Sequence, residues 1–485
     1  MTSLTFYGGV NEIGGNKILL NDNGTKIFLD FGMSFGQAGK YFSEFLQPRK
    51  CNGIGDFLEF GLVPDLKGLY RRDYLKHMGR KAEELEYQGL LITHAHADHA
   101  AYIHHLREDL PIYCSPETFA ILKALNDTAS GSFTDLTELT VCFETYVNKS
   151  GEISRKTTHT HKDIIIPRDF RKFEFGRKFK IDGIEIFPFN VDHSLPGATS
   201  FIIHASNGTI VYTGDMRFHG RRADKTVEFI EACDKPDVLI IEGTRVNEES
   251  SRKESDVEDE VQTVASKAKG LTVCNWPIRD TDRMISFLNA AKELDKTLTI
   301  SLKQAYLIKE LSKCSKSVPQ LNDKNLALYA MRKDWGLIGS DCDVRLIHQD
   351  YDRWERNYIN NCICHKHVKN EQNKFMFFAT NFDLKELIDL RPSKGSVYIK
   401  SVCEPFDIEM EIDWQRIENW INHFGMSQNA THVSGHASGP QLKDFVKNVE
   451  PKLIIPVHTE HANAYEEWWD KVHLLKAVGE TVEIK

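Results

Sequence analysis

His94-Ala95-His96-Ala97-Asp98-His99 places four side chains of metal-binding type within six positions. The apolar run Leu90-Leu91-Ile92 comes just before it, so we predict that this stretch forms a loop at the end of a buried strand. Its first two imidazoles can bind one ion, and its aspartate and last imidazole can bind a neighbouring ion. Neutral imidazole and carboxylate suit zinc or manganese. A cluster of exposed histidines is the weaker alternative, because four ligand-type residues stand so close together.

Three further polar residues follow predicted strands later in the chain. Asp215 ends a hairpin that we predict across Asn207-Gly208. His458 ends the apolar run Leu453-Ile454-Ile455, and His193 stands at another predicted strand end. Open sheets place their sites at strand ends, although each such residue alone is more often a cap or a turn residue. A site with two ions about 3.5–4 Å apart can activate a water and stabilise a leaving oxygen.

The composition bounds the class of protein. The chain has 485 residues, too many for one ordinary core, so we expect two or three domains. The net charge of −9 excludes a global basic surface for holding nucleic acid, although bound cations could make a local groove basic. The ten cysteines have no disulfide-like spacing, and no apolar run is long enough to span a bilayer. Because the N-terminus also lacks a signal peptide, we expect a cytoplasmic protein without membrane contact.

The pattern of apolar runs predicts an α/β protein with an inserted middle domain. Strands are predicted at Leu4–Tyr7, Lys17–Leu20, Lys26–Leu29, Ser200–His204, Thr209–Thr213, Val238–Ile241, Phe375–Phe378 and Val397–Ile399. The charged stretch Glu248–Glu260 is predicted to start a surface helix. Leu271–Cys274, Thr281–Leu294 and Leu298–Leu302 are typical of strand, helix and strand, which indicates a doubly wound sheet. Because a buried-type strand returns at Leu453–Ile455, the middle domain is predicted to interrupt the first one.

The six-residue motif resembles the HxHxDH signature of the metallo-β-lactamase superfamily. Asp30, in Leu29-Asp30-Phe31-Gly32, resembles the first motif of that superfamily, a structural aspartate. His193 resembles its third motif, and Asp215 resembles its fourth. The resemblance implies an αββα sandwich with a pair of divalent metal ions, zinc or manganese, at the edges of the sheets. The implied ligands are His94, His96 and His193 for one ion, Asp98, His99 and His458 for the other, and Asp215 as a bridge between them.

The middle domain resembles the β-CASP insertion of nucleic-acid nucleases, since small-molecule members of the superfamily are much shorter. Glu242, His436 and His458 resemble the three motifs of that group. A histidine at the third motif goes with RNA substrates and a valine with DNA substrates. The opening Gly8–Gly14 and the stretch Ile278–Arg283 resemble ribonuclease J. The resemblance places the metallo-β-lactamase domain at residues 1–244 and 429–485, with the β-CASP domain at residues 245–428.

The resemblance also implies roles in catalysis and in substrate binding. The implied catalytic residues are Asp98, Asp215, His436 and Glu242. His436 would donate a proton or a hydrogen bond to the leaving oxygen, and Glu242 would orient either a metal ligand or His436. The turn formed by Ser434, Gly435, His436, Ala437 and Ser438 would cradle the 5′-monophosphate of an RNA, which favours 5′-to-3′ exonuclease action and leaves endonuclease action open. A turn of small residues that binds no ligand is the alternative. We also predict that Arg283 contacts a phosphate.

Several alternatives remain open at this point. A DNA nuclease of the same fold, or an RNA-binding β-CASP subunit without activity, would share much of this pattern. A hydrolase of small esters or lactams leaves the middle domain unexplained. The third motif reads His458-Thr459-Glu460 where His-Gly-Glu is usual, and residues 127–165 look like an insertion. The stretch Cys362–His367 is more typical of a surface loop than of a structural zinc site, and a homodimer is left open.

Overall fold

The fold consists of two compact units. The computed structural model describes residues 1–43, 45–81, 83–129, 131–158, 160–249, 252–404 and 408–485. The first unit comprises Met1–Phe218, Arg222–Ser250 and Gly435–Lys485, and the second comprises His219–Arg221 and Ser251–Ser434. Among the described residues, no helix has both the length and the apolar character needed to cross a membrane.

The first unit contains two large mixed sheets. In hydrogen-bonding order, the strands of the first sheet are Phe170–Lys172, Ile112–Cys114, Gly89–Leu91, Thr25–Leu29, Lys17–Asp22, Thr2–Gly8 and Glu480–Ile484. Those of the second sheet are Phe179–Ile181, Ile184–Asn190, Thr199–Ala205, Gly208–Tyr212, Val238–Ile241 and Ile454–Pro456. The predicted hairpin across Asn207-Gly208 is confirmed, with Ile203 opposite Ile210.

The two sheets share one hydrophobic core. Leu4, Phe6 and Ile18 from the first sheet pack in it with Phe201 and Ile240 from the second. Along the strand Thr2–Gly8, buried residues alternate with less buried ones. Two stacked sheets normally have this alternation of inward and outward side chains. The predicted sandwich is therefore confirmed.

Helices cover the outer faces of this sandwich. The helix Gly439–Val449 places Phe445 against Phe229 of the helix Ala223–Ala232, in a core that includes Leu239 of the second sheet. On the first sheet, Phe119 lies edge-on to Phe170. The remaining α-helices of the unit are Phe35–Gly39, Gly55–Glu59, Arg72–His77, Ala97–Ala100 and Pro116–Thr128. Its 3-10 helices are Lys50–Asn52, Ala101–His105, Lys162–Ile164 and Ala462–Glu467.

The predicted insertion at residues 127–165 contributes to two small antiparallel sheets of two strands each, of which one is a hairpin. Glu138–Thr140 pairs with Ile165–Pro167, and Thr145–Val147 pairs with Ile153–Arg155, both antiparallel. The buried guanidinium of Arg71 holds this segment, because it donates to Asp135 and to the carbonyl of Thr140.

The second unit is built on a wholly parallel sheet. In hydrogen-bonding order its strands are Leu326–Tyr329, Thr297–Ser301, Phe375–Phe378, Thr272–Asn275, Val397–Lys400 and Ser427–Ala430. Its α-helices are Glu254–Lys267, Thr281–Glu293, Leu302–Leu311, Val344–Ile347, Arg356–Ile359, His365–Asn370, Glu386–Leu390 and Ile408–His423. Its 3-10 helices are His348–Asp350, Gln372–Lys374 and Asn381–Asp383.

Both faces of this parallel sheet are buried. Met376 and Phe378 lie in one core with the helix residues Val261 and Phe287, whereas Phe377 lies in another core with Leu387. Since successive side chains of a strand point to opposite faces, helices cover the sheet on both sides. This is the doubly wound architecture that the βαβ pattern predicted.

Candidate metal centre

All candidate metal ligands follow the ends of strands and lie close together. Parallel strands end at the same edge of a sheet, which is where open α/β sheets place their sites. The ligands follow the strands Gly89–Leu91 (His94, His96, Asp98 and His99), Ile184–Asn190 (His193), Gly208–Tyr212 (Asp215) and Ile454–Pro456 (His458). All seven side chains form two groups whose nitrogen and oxygen atoms lie within 4.8 Å of one another, and Asp215 belongs to both groups.

The first group contains His94, His96, His193 and Asp215. His96 Nδ1 lies 3.0 Å from His94 Nε2 and 3.0 Å from His193 Nε2. Asp215 Oδ2 lies 3.5 Å from His94 Nε2 and 3.9 Å from His193 Nε2. Ligands about 2.0–2.1 Å from a tetrahedral zinc ion stand about 3.3 Å apart, so these separations match the edges of a zinc coordination shell.

The second group contains Asp98, His99, His458 and again Asp215. His458 Nε2 lies 3.1 Å from Asp98 Oδ2 and 3.8 Å from Asp215 Oδ1. His99 Nε2 lies 3.2 Å from Asp215 Oδ2 and 4.0 Å from Asp98 Oδ2. Among the described residues, His99 Nε2 and Asp215 Oδ1 are buried without a hydrogen bond. Buried polar atoms are normally paired, so these two atoms fit a site that takes a divalent cation.

The distal nitrogen of each buried imidazole is held by the protein. His99 Nδ1 lies 2.7 Å from Asp30 Oδ2, and His193 Nδ1 lies 2.6 Å from the Gly435 carbonyl oxygen. His458 Nδ1 lies 2.9 Å from the Thr244 hydroxyl. These contacts fix the orientation of the rings and direct Nε2 into the cluster, as is usual for metal-binding histidines.

Asp30 organises the inner side of this cluster. Its carboxylate accepts hydrogen bonds from the Thr93 backbone N–H and hydroxyl and from the Tyr212 hydroxyl. The Thr93 hydroxyl also lies 3.0 Å from His94 Nδ1. One buried carboxylate therefore orients ligands of both groups, in keeping with the structural role that the resemblance implied.

Burial and neighbouring charges set the protonation of the site. Burial lowers the pKa of His94 and of His193 well below the ordinary value, so both rings are neutral. Burial alone would raise the pKa of the Asp98 and Asp215 carboxyls. The neighbouring imidazoles, His99 and His458 among them, outweigh it and hold both pKa values well below the usual range. Burial would lower the pKa of His99 and of His458, but Asp215 and Asp98 outweigh it and raise both pKa values, so these two rings favour the protonated state. A cation would displace those protons, whereas the carboxylates are already ionised.

Glu242 and His436 form a third group with Asp215. His436 Nδ1 lies 2.9 Å from Glu242 Oε2 and 3.8 Å from Asp215 Oδ2. Burial would lower the pKa of His436, but Glu242 and Asp215 outweigh it and raise that pKa to about 9. The side chains of His436 and Asp98 are 19% and 18% exposed, whereas Asp215 is 1% exposed. His436 and Asp98 are thus among the groups of this cluster that a substrate can reach.

The predicted phosphate turn differs from the expectation in its backbone. The Ala437 N–H donates to the Met216 carbonyl oxygen at 2.7 Å, and the Ser438 N–H donates to the Gln441 side chain at 3.0 Å. Both N–H groups are therefore occupied, because Ser438 caps the helix Gly439–Val449. The Ser434 and Gly435 carbonyls accept hydrogen bonds from His219 and His193. The Ser438 side chain is itself buried and belongs to a capping box with Gln441, so it presents no exposed donor to a ligand.

Arg283 does not reach a substrate, and that prediction was wrong. Its side chain is fully buried within the second unit and pairs with Glu254, where Nε and Oε1 are 2.8 Å apart. Its other nitrogens donate to the Ser401 and Val433 carbonyl oxygens at 3.1 Å each. A guanidinium enclosed in this way is structural, and the sequence could not distinguish it from an exposed one.

The Cys362–His367 stretch holds no converging ligand set in the described part of the second unit. The Cys362 thiol donates to the Tyr358 carbonyl oxygen, while Cys364 Sγ lies 3.4 Å from His367 Nδ1. The stretch is not the surface loop that we expected, because Cys364 is buried and directly precedes the helix His365–Asn370. The residues that sequence reasoning missed are Thr93, Tyr212 and Thr244, which orient ligands through tertiary contacts and match no motif.

Comparisons with known proteins agree with this geometry. Residues 63–274 match the beta-lactamase superfamily domain, and residues 427–471 match the Zn-dependent metallo-hydrolase RNA specificity domain. The ribonuclease J of Pyrococcus abyssi is 22% identical over 95% of this chain and 90% of its own length. The ribonuclease J of Mycoplasma genitalium is 21% identical over 95% of this chain and 68% of its own length. A crystal structure of a protein of unknown function from Enterococcus faecalis V583 superposes with a TM-score of 0.71 at 19% identity, covering 99% of both chains, and shows the same fold.

Proposed function

We propose that the chain is a metal-dependent ribonuclease of the metallo-β-lactamase superfamily that hydrolyses phosphodiester bonds in RNA. The observation that carries the proposal is the convergence of seven ligand side chains into two groups that share Asp215. The RNA specificity domain and the length of the match to proteins named ribonuclease J favour RNA as the substrate.

The two groups would hold a pair of divalent cations, zinc by their ligand chemistry and manganese as the alternative. His94, His96 and His193 would hold one, Asp98, His99 and His458 the other, and Asp215 would contact both. When bound, such cations lower the pKa of water and offset the negative charge that develops on the phosphate.

The protein's own groups would position the substrate and handle the proton. Glu242 holds His436 through Nδ1, so the opposite ring nitrogen is left to donate to the leaving oxygen. We assign a 5′-monophosphate to the turn Ser434–Ser438 as a whole, which would give 5′-to-3′ removal of nucleotides. A homodimer also stays a prediction, and sedimentation of the full chain would test it.

Product analysis on end-labelled RNA tests this function. We expect the metal-replete protein to release mononucleotides from the 5′ end of a 5′-monophosphorylated RNA and to leave DNA of the same sequence largely intact. Asp98→Ala and His99→Ala should each lose cleavage, because one cation would lose a ligand. His204→Ala is the matched control, since this exposed histidine belongs to none of the ligand groups and contacts Thr209 across a hairpin of the same unit.

Metal analysis separates an enzyme from a scaffold. An enzyme should hold close to two ions per chain, and either alanine variant should hold fewer. Undiminished RNA cleavage by metal-replete Asp98→Ala protein would refute the assignment, and cleavage of DNA alone would favour the alternative nuclease.

A further inference from the structure

Lys17 is a buried lysine beside the candidate metal centre that the proposed function does not use. It is 2% exposed, and none of the described carboxylates forms an ion pair with it. Its Nζ donates to the Gly15 carbonyl oxygen at 2.8 Å and to the Gly32 carbonyl oxygen at 3.0 Å. The Nζ atom also lies 5.5 Å from the centroid of the Tyr102 ring, and the charge of the Glu12 carboxylate partly offsets the effect of burial on the Lys17 pKa. An ammonium buried without an ion pair is costly, so its presence calls for a reason beyond packing.

The two carbonyls that Lys17 joins belong to loops that pack directly on Asp98. The Asn16 N–H donates to the Asp98 carbonyl oxygen at 3.1 Å. A Cβ atom on Gly14 would lie 2.7 Å from Asp98 Cβ, and one on Gly32 would lie 1.7 Å from the Asp98 carbonyl oxygen. The backbone therefore touches Asp98 from both loops, with no room for a side chain at either glycine.

The first of these loops also contacts the other end of the second ligand group. The His458 N–H donates to the Gly9 carbonyl oxygen at 2.9 Å. Glu12 braces the same loop, because its carboxylate accepts from the Gly9 N–H at 3.3 Å and from the Ser34 hydroxyl at 2.6 Å. Lys17 and Glu12 thus clamp the two loops together at separate points, and both clamps lie next to ligands of the second group.

We propose that Lys17 is a positioning residue for the second cation, because it fixes the loops that hold Asp98 and His458 in place. The proposal rests on the proposed function, since it assigns a role within the same site. Lys17 does not touch the ligands itself, and its effect passes through the backbone at Gly15 and Gly32. Burial lowers the pKa of Lys17 to about 8, which agrees with an ammonium that the protein retains at a cost.

A purely structural role makes a different prediction. If Lys17 only filled space, an apolar side chain of similar length would replace it without loss, as often happens when buried charges are removed. Lys17→Met keeps the length of the side chain and removes the donor. Lys296→Met is the matched control, because Lys296 is also buried, donates to the Asn373 carbonyl oxygen at 2.7 Å and lies in the second unit.

The test measures zinc affinity, amide exchange and kinetics on the full-length protein. Zinc titration of the metal-free protein should show one of two ions weakened about 10–100-fold in Lys17→Met, the usual effect of losing support for a ligand. Amide hydrogens in residues 95–101 should exchange faster. On RNA, kcat should fall by a similar factor while KM changes by less than about twofold. Lys17→Gln keeps a donor, so its zinc affinity, exchange rates and kcat should lie between those of the wild type and Lys17→Met. If Lys17→Met does not fold, Lys17→Gln takes its place in the test.

The outcomes separate this inference from the proposed function. Wild-type zinc affinities and exchange in Lys17→Met, as in Lys296→Met, would overturn the positioning role even if the protein cleaves RNA. A wild-type protein that fails to cleave RNA would remove the proposed function, whereas a Lys17-dependent zinc affinity would still support the clamp.

Discussion

At the scale of single residues, Glu242 fixes the orientation of the His436 ring. Glu242 is buried and uses both oxygens, since Oε1 accepts the Met216 N–H at 2.8 Å and Oε2 faces His436 Nδ1 at 2.9 Å. Glu242→Gln would place an amide NH₂ opposite one of these two donors. We therefore expect kcat on RNA to fall about 10–100-fold while the metal content stays at the wild-type level.

Glu248→Gln is the control for that substitution, because Glu248 is exposed and pairs only at the surface with Arg245. Metal analysis and steady-state kinetics on both variants check the prediction. Loss of metal in Glu242→Gln would mean that the carboxylate supports the ligands rather than His436.

At the scale of elements, the backbone of the loop after the strand Thr25–Leu29 packs directly against the backbone of residues 97–99, within the predicted ligand stretch His94–His99. Phe31 N–H donates to the His99 carbonyl oxygen and Met33 N–H to the Ala97 carbonyl oxygen, with Gly32 between them. Gly32→Ala would force these backbones apart. We expect it to lower the free energy of unfolding by more than about 3 kcal/mol, the upper range for single substitutions, and to reduce metal binding.

Gly36→Ala tests whether the stability lost in Gly32→Ala results from the close approach of the two backbones at Gly32. Gly36 lies four residues later in the helix Phe35–Gly39, and a Cβ atom there meets nothing within 4 Å. Alanine in a helix should stabilise the protein by about 0.5–1 kcal/mol. Chemical denaturation of both variants provides the measurement, and equal stabilities would contradict the packing argument.

Elements dominated by local apolar pattern were predictable. The strands Val238–Ile241 and Phe375–Phe378 were predicted to the residue, because each is a continuous apolar run. The helix predicted to start within Glu248–Glu260 begins at Glu254, where the Asp256 carboxylate accepts the Lys253 N–H. The charge pattern thus gave the correct stretch, whereas the first residue of the helix is set by this local hydrogen bond.

The candidate site was predictable only where the residue type itself indicates a function, as histidine and aspartate indicate metal binding. Histidines and aspartates at strand ends could be named as ligands, and the resemblance connected those that are distant in sequence. Thr93 and Lys17 could not be found, since a hydroxyl and an ammonium act here through contacts that only the folded backbone creates. Arg283 was wrongly predicted to contact a phosphate, because an arginine of the type that binds phosphate can instead be buried and paired within its own unit.

At the scale of the whole molecule, the ligand set joins the distant parts of the first unit. It runs from His94 to His458, so bound cations would tie an early loop to the last strand of the second sheet. A ligand that binds only the folded state adds about 2.7 kcal/mol when present at one hundred times its dissociation constant. Chelation should therefore weaken the first unit by several kcal/mol if both ions are bound.

The second unit provides an internal control for this effect. Every candidate group in the described residues lies in the first unit, so removing metal withdraws no ligand contact from the parallel sheet. We expect chelation to speed amide exchange in the strands Gly208–Tyr212 and Ile454–Pro456 and to leave Thr272–Asn275 unchanged. Added zinc should restore the protection. Equal loss of protection in both units would instead mean that the cations stabilise the chain as one cooperative body, and that the metal-dependent stability is not confined to the sandwich.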